Sequence, residues 1–239
     1  MAKFCTKCGN ELKNGKCSKC DNKSTAVEKK VASNSGFDFK EYANTYLDVL
    51  KGMFTKPVDT MKKYKGEDNF LLAIIALVVN CIVTGLLTYF ICKEAFDSIF
   101  GLLGLGGFGF GKVEVPFMQV FLYGFIFMAS WFAAAVATIY LVGNKIMKDK
   151  ITLKEATCLV GTVSTFTALT TVASIILLYI SAKIMTIVLL VAAVFYLTYL
   201  YQGLSDATEI DKNKLGYLFV STVVVAMFVM IYLLPEILF

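Results

Sequence analysis

The chain has 239 residues, of which 57% are hydrophobic and 17% are charged, with a net charge of +5. A soluble domain of this length cannot bury so much apolar surface, so the composition excludes an ordinary globular protein and indicates an integral membrane protein. There is no histidine and all 23 basic residues are lysine, which excludes imidazole catalysis and the arginine contacts typical of nucleic-acid recognition, so we expect no nucleic-acid partner.

Four cysteines near the start of the chain form two CxxC pairs: Cys5, Cys8, Cys17 and Cys20. Each CxxC turn lets two thiolates face one ion, and two such pairs complete the tetrahedral ligand set of structural zinc. A disulfide framework would need an oxidising compartment, and a redox CxxC would need a βαβ context. The start of the chain lacks an apolar signal region, so we expect a cytosolic N-terminus. We therefore predict a zinc ribbon over residues 1–22, holding one structural Zn²⁺ per chain with no open ligand position.

Residues 23–36 are small and polar and predict a flexible linker. Residues 37–69 predict juxtamembrane amphipathic helices, because apolar side chains recur there at helical spacing opposite lysines and acids. Pro57 interrupts the pattern and favours a short second helix that ends at Tyr64. Two arrangements are open, and both can hold at once: the apolar stripe packs on the protein's own bundle, or it lies on an anionic inner leaflet with its lysines at the headgroups.

Residues 70–239 predict a five-helix transmembrane bundle, with spans at Phe70–Ile91, Phe117–Val142, Ala156–Ile180, Ile184–Tyr201 and Leu215–Leu234. Read as one helix, 156–201 would be about 69 Å long, over twice the hydrocarbon core, so a tight turn at Ser181–Lys183 is expected. Glycine alternates with phenylalanine and leucine over residues 96–111, which predicts either a flexible lid or a membrane-dipping hairpin.

The distribution of lysine predicts the orientation. With the N-terminus inside, the inside loops and the 20 residues before the first span carry 11 lysines, and the outside loops carry 3. The positive-inside rule therefore favours a multi-pass protein of the cell membrane with a cytosolic N-terminus and an external C-terminus.

Small and polar residues follow one face of the second and third spans, at Ser130, Ala134, Thr138, Thr157, Gly161, Ser164, Ala168 and Thr171. Such faces let helices approach closely, so helix packing is one interpretation and a substrate path is the other. Tyr196, Tyr199 and Tyr201 are predicted as anchors at the membrane interface. The spans carry no acidic residue in their middle, which argues against ion transport.

The N-terminal segment resembles the short zinc ribbons of bacterial membrane proteins, through Phe4-Cys5, Cys8-Gly9, Leu12 and Cys17–Cys20. Residues 37–239 resemble bacterial Yip1-like membrane proteins, through the juxtamembrane helix with its Pro57 turn, the glycine-rich outer loop and the five spans. The closed metal site, the flexible linker and the lack of a cluster of catalytic residues favour a non-enzymatic membrane adaptor or scaffold of Yip1-like type, whose zinc ribbon recruits an unidentified protein partner. The alternative is a transporter, export component or immunity-type protein that acts on a small apolar or peptide substrate.

Overall fold

A computed structural model of the protein describes residues 39–102, 115–148, 150–207 and 211–233. The chain divides into two units, and all described residues belong to the second, Phe39–Phe239. The predicted zinc ribbon and linker, and the glycine-rich residues 103–111, lie outside the described residues.

Every regular element among the described residues is a helix. The helices are α1 (Phe39–Thr55), α2 (Pro57–Tyr64), α3 (Phe70–Leu102), α4 (Phe117–Leu141), α5 (Leu153–Leu178), α6 (Ala182–Ala207) and α7 (Lys212–Phe228). A 3₁₀ turn at Glu67–Asn69 precedes α3, and π-helical turns at Val142–Ile146 and Val229–Leu233 extend α4 and α7.

Five of these helices are long and apolar enough to cross a membrane, over Glu67–Ile99, Phe117–Ile146, Leu153–Leu178, Ala182–Asp206 and Lys212–Tyr232. The predicted all-α membrane architecture with five spans is therefore confirmed. The predicted hairpin between the third and fourth spans is also confirmed, since α5 ends at Leu178 and α6 begins at Ala182.

The predicted break at Pro57 is confirmed, because this proline is the first residue of α2. Its missing N–H costs nothing at that position, where the helix has no internal acceptor for it. Gly52 of α1 lies so close to Thr60 of α2 that a side chain at Gly52 would collide with it. The two helices therefore meet at a tight corner.

α2 packs against α5 and α6, and α1 packs against α5 and α3. The ammonium of Lys65 donates to the carbonyl of Asp206 at the end of α6 (2.8 Å), and the thiol of Cys158 near the start of α5 lies 3.4 Å from the carbonyl of Gly66. The start of α5 and the end of α6 therefore lie on the side of the bundle that holds α1 and α2, which we name the α1–α2 side.

On the opposite side, the start of α4 and the end of α5 lie at one level of α3. The rings of Tyr89 in α3 and Phe117 at the start of α4 have centroids 4.9 Å apart, and those of Phe90 and Tyr179 are 6.1 Å apart. α3 and α5 run parallel from the α1–α2 side to this level and form the most extensive helix pair. α5 is the most buried of the five spans and lies at the centre of the bundle.

α3 is longer than the sequence suggested. The predicted span ended at Ile91 and the predicted loop began at Phe96, whereas the helix continues to Leu102. The expectation of a loop was wrong for residues 96–102, because the sequence has no proline or glycine between Ile91 and Gly101 and local propensity keeps the helix regular there.

Candidate functional site

The four predicted zinc ligands, Cys5, Cys8, Cys17 and Cys20, lie outside the described residues. Within the part of the chain that the structure describes, no group of three or more histidine, cysteine or acidic residues is placed to hold a metal. The three cysteines of this part, Cys81, Cys92 and Cys158, are unpaired thiols in the helices that form the spans. The zinc site therefore stays a prediction from the CxxC spacing.

The small face of α5 lies against α3. A Cβ atom added at Gly161 would lie 2.7 Å from the Cβ and 2.8 Å from the carbonyl oxygen of Ala73. Ala168 is buried, and Ser164 is buried with its hydroxyl donating to the carbonyl of Gly161. These three positions let the backbones of α3 and α5 approach each other closely.

Asn80 of α3, which is fully buried, joins these two helices by hydrogen bonds. Its amide nitrogen donates to the carbonyl of Ser164 (2.8 Å) and to the hydroxyl of Thr167, while its oxygen accepts from Thr84 (3.2 Å). An asparagine in an apolar span would be costly without partners, so this network fixes the register of α3 against α5. The sequence showed Asn80 and Thr84 as polar residues in a span, but gave no sign of their partners.

The other predicted positions on the small faces of α4 and α5 do not form one shared surface. Thr138 and Thr157 are buried and donate back to their own helices, to the carbonyls of Ala134 and Leu153 (2.8 Å each). Ser130 is half-buried in α4. Thr157 lines a shallow apolar groove of about 330 Å³ between α3 and α4. Of the eight predicted face positions, Thr171 alone lines the larger cavity described next.

A cavity of about 470 Å³ lies among α4, α5, α6 and α7. Its lining residues are Phe127, Met128, Trp131, Thr167, Thr170, Thr171, Leu189, Ala192, Ala193, Tyr196, Leu197, Val223, Met227, Met230 and Ile231. This volume falls within the range of about 300–1,000 Å³ that is usual for small-molecule sites. The lining contains no charged side chain, so an occupant has to be largely apolar.

The polar groups of the lining already have partners within the protein. Thr170 and Thr171 donate to the carbonyl of Thr167 (2.9 and 2.7 Å), and Thr167 donates to that of Ser164 (2.9 Å). The indole N–H of Trp131 points to the hydroxyl of Tyr196 at 3.4 Å. An occupant therefore finds almost no free hydrogen-bond donor.

The position of Tyr196 corrects the sequence analysis. It was predicted as an interface anchor, yet it is 5% exposed and lies against Trp131 inside the bundle. The prediction was wrong for Tyr196 because Tyr196 and Tyr201 are about 140° apart around α6, at about 100° per residue, so one can face the bundle while the other, 38% exposed, faces outward. Tyr199 instead joins a ring cluster, at 5.4 Å from Phe166.

α1 has two apolar faces. Val49 and Met53 are buried against the bundle, and burial there raises the pKa of the Tyr46 phenol. Leu47 and Phe54 lie on another face and are 60% and 50% exposed. The sequence analysis left open whether α1 packs on the bundle or lies on a leaflet, and the helix has a suitable face for each.

The exposed face of α1 carries both apolar and charged side chains, in a regular arrangement. Leu47, Lys51 and Phe54 follow one another at i, i+4 and i+7, so two apolar side chains flank an exposed lysine, while Asp48 lies on the adjacent strip. The ring of Phe54 lies 5.0 Å from that of Phe166, which in turn lies 5.7 Å from that of Phe195 on the outer surface of α6. The apolar edge of α1 therefore adjoins the outer surface of the spans.

Comparison with known families gives one match. Residues 51–234 match the Yip1 domain, which covers α2 to α7 and the end of α1. No curated protein and no solved structure matches the chain. Because the match includes all five spans and more than half of the chain, this membrane protein belongs to the Yip1 family.

Proposed function

We propose that the protein is a non-enzymatic membrane adaptor, in which the five spans anchor the chain and the zinc ribbon recruits a protein partner at the cytosolic face. The observation that carries this proposal is the docking of α1 and α2 on the bundle, with Val49, Met53 and Met61 all at most 2% exposed. The linker would therefore connect a partner held through the ribbon to a fixed helical platform. Family membership supports a membrane role of this kind.

The platform also suits a lipid surface. Leu47 and Phe54 would enter the leaflet edge, and each half-exposed side chain would contribute about 1 kcal/mol on burial. Lys51, between them, would then lie at the level of the headgroups, where a lysine favours anionic lipid. The orientation predicted from the lysine distribution would put this side of the bundle in the cytosol.

The ribbon would hold one Zn²⁺ through the thiolates of Cys5, Cys8, Cys17 and Cys20. Four protein ligands leave no coordination position for a substrate, so the metal would be structural. A segment of this size has almost no hydrophobic core, so its fold would depend on the metal. Loss of one ligand should therefore remove the recruiting surface without disturbing the spans.

The test compares two cysteine variants of the full chain. Cys8→Ser should lose the one equivalent of zinc and should lose the partner that cross-links to the wild-type protein in native membranes. Cys92→Ser is the matched control, because it makes the same exchange at a half-buried position in α3, and it should keep both. A partner that stays bound to Cys8→Ser at the wild-type level would refute recruitment by the ribbon.

The 470 Å³ cavity supports a second candidate, transport of a small apolar substrate. A peptide is disfavoured, because its backbone N–H and C=O groups would find few free partners among threonines that already donate to their own helix. Flux of an apolar substrate in proteoliposomes that is lost in Thr171→Leu would favour this candidate over the adaptor.

A further inference from the structure

We infer that the cavity among α4, α5, α6 and α7 is a binding site for one hydrocarbon chain of a bilayer lipid. The inference is separate from the adaptor proposal, because it concerns the spans alone and would survive if the ribbon recruited nothing. It rests on the chemistry of the lining, on the continuity of the cavity with the outer surface of the spans, and on its length.

The lining suits a hydrocarbon chain and little else. Water is a poor occupant, because a buried water needs two to four polar partners and an apolar cavity stays dry. The hydroxyls of Thr167, Thr170 and Thr171 already donate to carbonyls of α5, and the indole of Trp131 donates to Tyr196. A hydrocarbon chain requires no hydrogen bond, so it leaves neither itself nor the lining unsatisfied.

The cavity is continuous with the surface that the bilayer covers. Three of its lining side chains, Phe127, Met227 and Ile231, are 44%, 52% and 61% exposed on the outside of the bundle. Apolar side chains exposed on spans face lipid rather than water. Hydrocarbon chains are therefore the molecules that surround the entrance, and one of them can enter sideways between α6 and α7, which pack less extensively than α4 and α7.

The cavity is elongated along the helices. Leu189 and Leu197 both line it on α6, and eight residues of helix correspond to about 12 Å. It runs from the level of Trp131 and Tyr196, midway through the bundle, toward the side opposite α1 and α2. This direction is that of a lipid chain whose headgroup lies in the leaflet on that opposite side, with its end stopped by the Trp131–Tyr196 pair.

Trp131 is the single tryptophan of the chain, so its fluorescence reports on the cavity directly. Bromine atoms on a lipid chain quench tryptophan only near contact. The full-length protein is reconstituted in phosphatidylcholine vesicles whose lipid chains carry bromine near their ends, and in unbrominated vesicles. We expect Trp131 emission to fall about twofold in the brominated vesicles, because a chain in the cavity comes within about 4.5 Å of the indole.

Substitutions at two adjacent residues of α6 distinguish quenching by a chain in the cavity from quenching by the surrounding bilayer. Ala193→Phe fills the cavity and should restore at least half of the lost emission, and Ala193→Leu is a smaller filler for use if the first variant fails to insert. Val194→Phe makes a similar change on a side chain that is 64% exposed and outside the lining, and should leave the quenching unchanged.

Three results would overturn the inference. Emission that is insensitive to bromine would mean that the cavity is closed or is covered by a second copy of the chain. Efficient quenching by acrylamide, which stays in water, would mean that the cavity is hydrated. Equal quenching in the Ala193 and Val194 variants would mean that Trp131 senses only the surrounding bilayer.

Discussion

The contact between Gly161 and Ala73 sets the distance between α3 and α5, and a single added methyl group tests it. In Gly161→Ala the new Cβ would start 2.7 Å from the Cβ of Ala73. Carbon atoms pack best at about 3.5–4.0 Å, so the two helices would have to separate by roughly 0.8 Å or more. Backbone atoms of Ala73 block the same direction at 2.8 Å, so no side-chain rotation can relieve the overlap.

Two opposing free-energy terms decide the result. Alanine is more favourable than glycine inside a helix by about 0.8–1.0 kcal/mol. Overpacking of a tight contact costs about 1–3 kcal/mol, and this contact lies in the most extensive helix pair of the bundle. We expect a net loss of up to about 2 kcal/mol, which for a chain of this size lowers the melting temperature by up to roughly 8 °C.

Gly216→Ala in α7 is the matched control, because an added Cβ there meets nothing within 4 Å. Gly216→Ala should gain only the helix propensity of alanine over glycine, so it should raise the melting temperature slightly. Both variants are measured by far-ultraviolet circular dichroism during heating in the same detergent. If Gly161→Ala melts at or above the temperature of Gly216→Ala, the close contact of α3 and α5 does not limit stability and the reasoning fails.

Three further predictions follow from the polar network, from α1 and from the lysine distribution. Asn80→Leu should lower stability by about 1–2 kcal/mol in thermal melts, because it removes two donated hydrogen bonds between α3 and α5; an unchanged melting temperature would show that the network is dispensable. A spin label at Leu47 should collide mainly with oxygen dissolved in lipid, and one at Asp48 mainly with a water-soluble nickel complex; equal access at both positions would mean that α1 does not lie on the membrane. A cysteine at Gly107 should react with an impermeant thiol reagent added outside cells and one at Asn34 should not, relative to the unsubstituted chain; the reverse pattern would invert the orientation.

Features that depend on local sequence were predicted well. The five spans follow from runs of apolar residues, and the turn at Ser181 follows from a length that no single span can have. The start of α2 follows from the missing N–H of Pro57. In each case the cause lies within a few residues of the feature.

Features that depend on how helices rotate against one another were not predicted. Gly85 of α3 and Gly124 of α4 meet so closely that a Cβ on Gly124 would lie 2.9 Å from the Cα of Gly85, yet each is one glycine in a long apolar run. The burial of Tyr196 depends in the same way on which face of α6 meets α4. The cavity needs four helices at once, so no single segment of sequence could indicate it.

The length of α3 determines what this protein presents on the side opposite α1 and α2. At the level where α4 begins and α5 ends, α3 has reached Phe90, and it continues as helix to Leu102. Twelve more residues at 1.5 Å each carry it about 18 Å past that level. Residues 93–99 of this extension are exposed throughout, whereas α5 ends at Leu178, at the level of Phe90. A large reagent such as an antibody that approaches from that side would therefore reach the α3 extension before it could touch the turn.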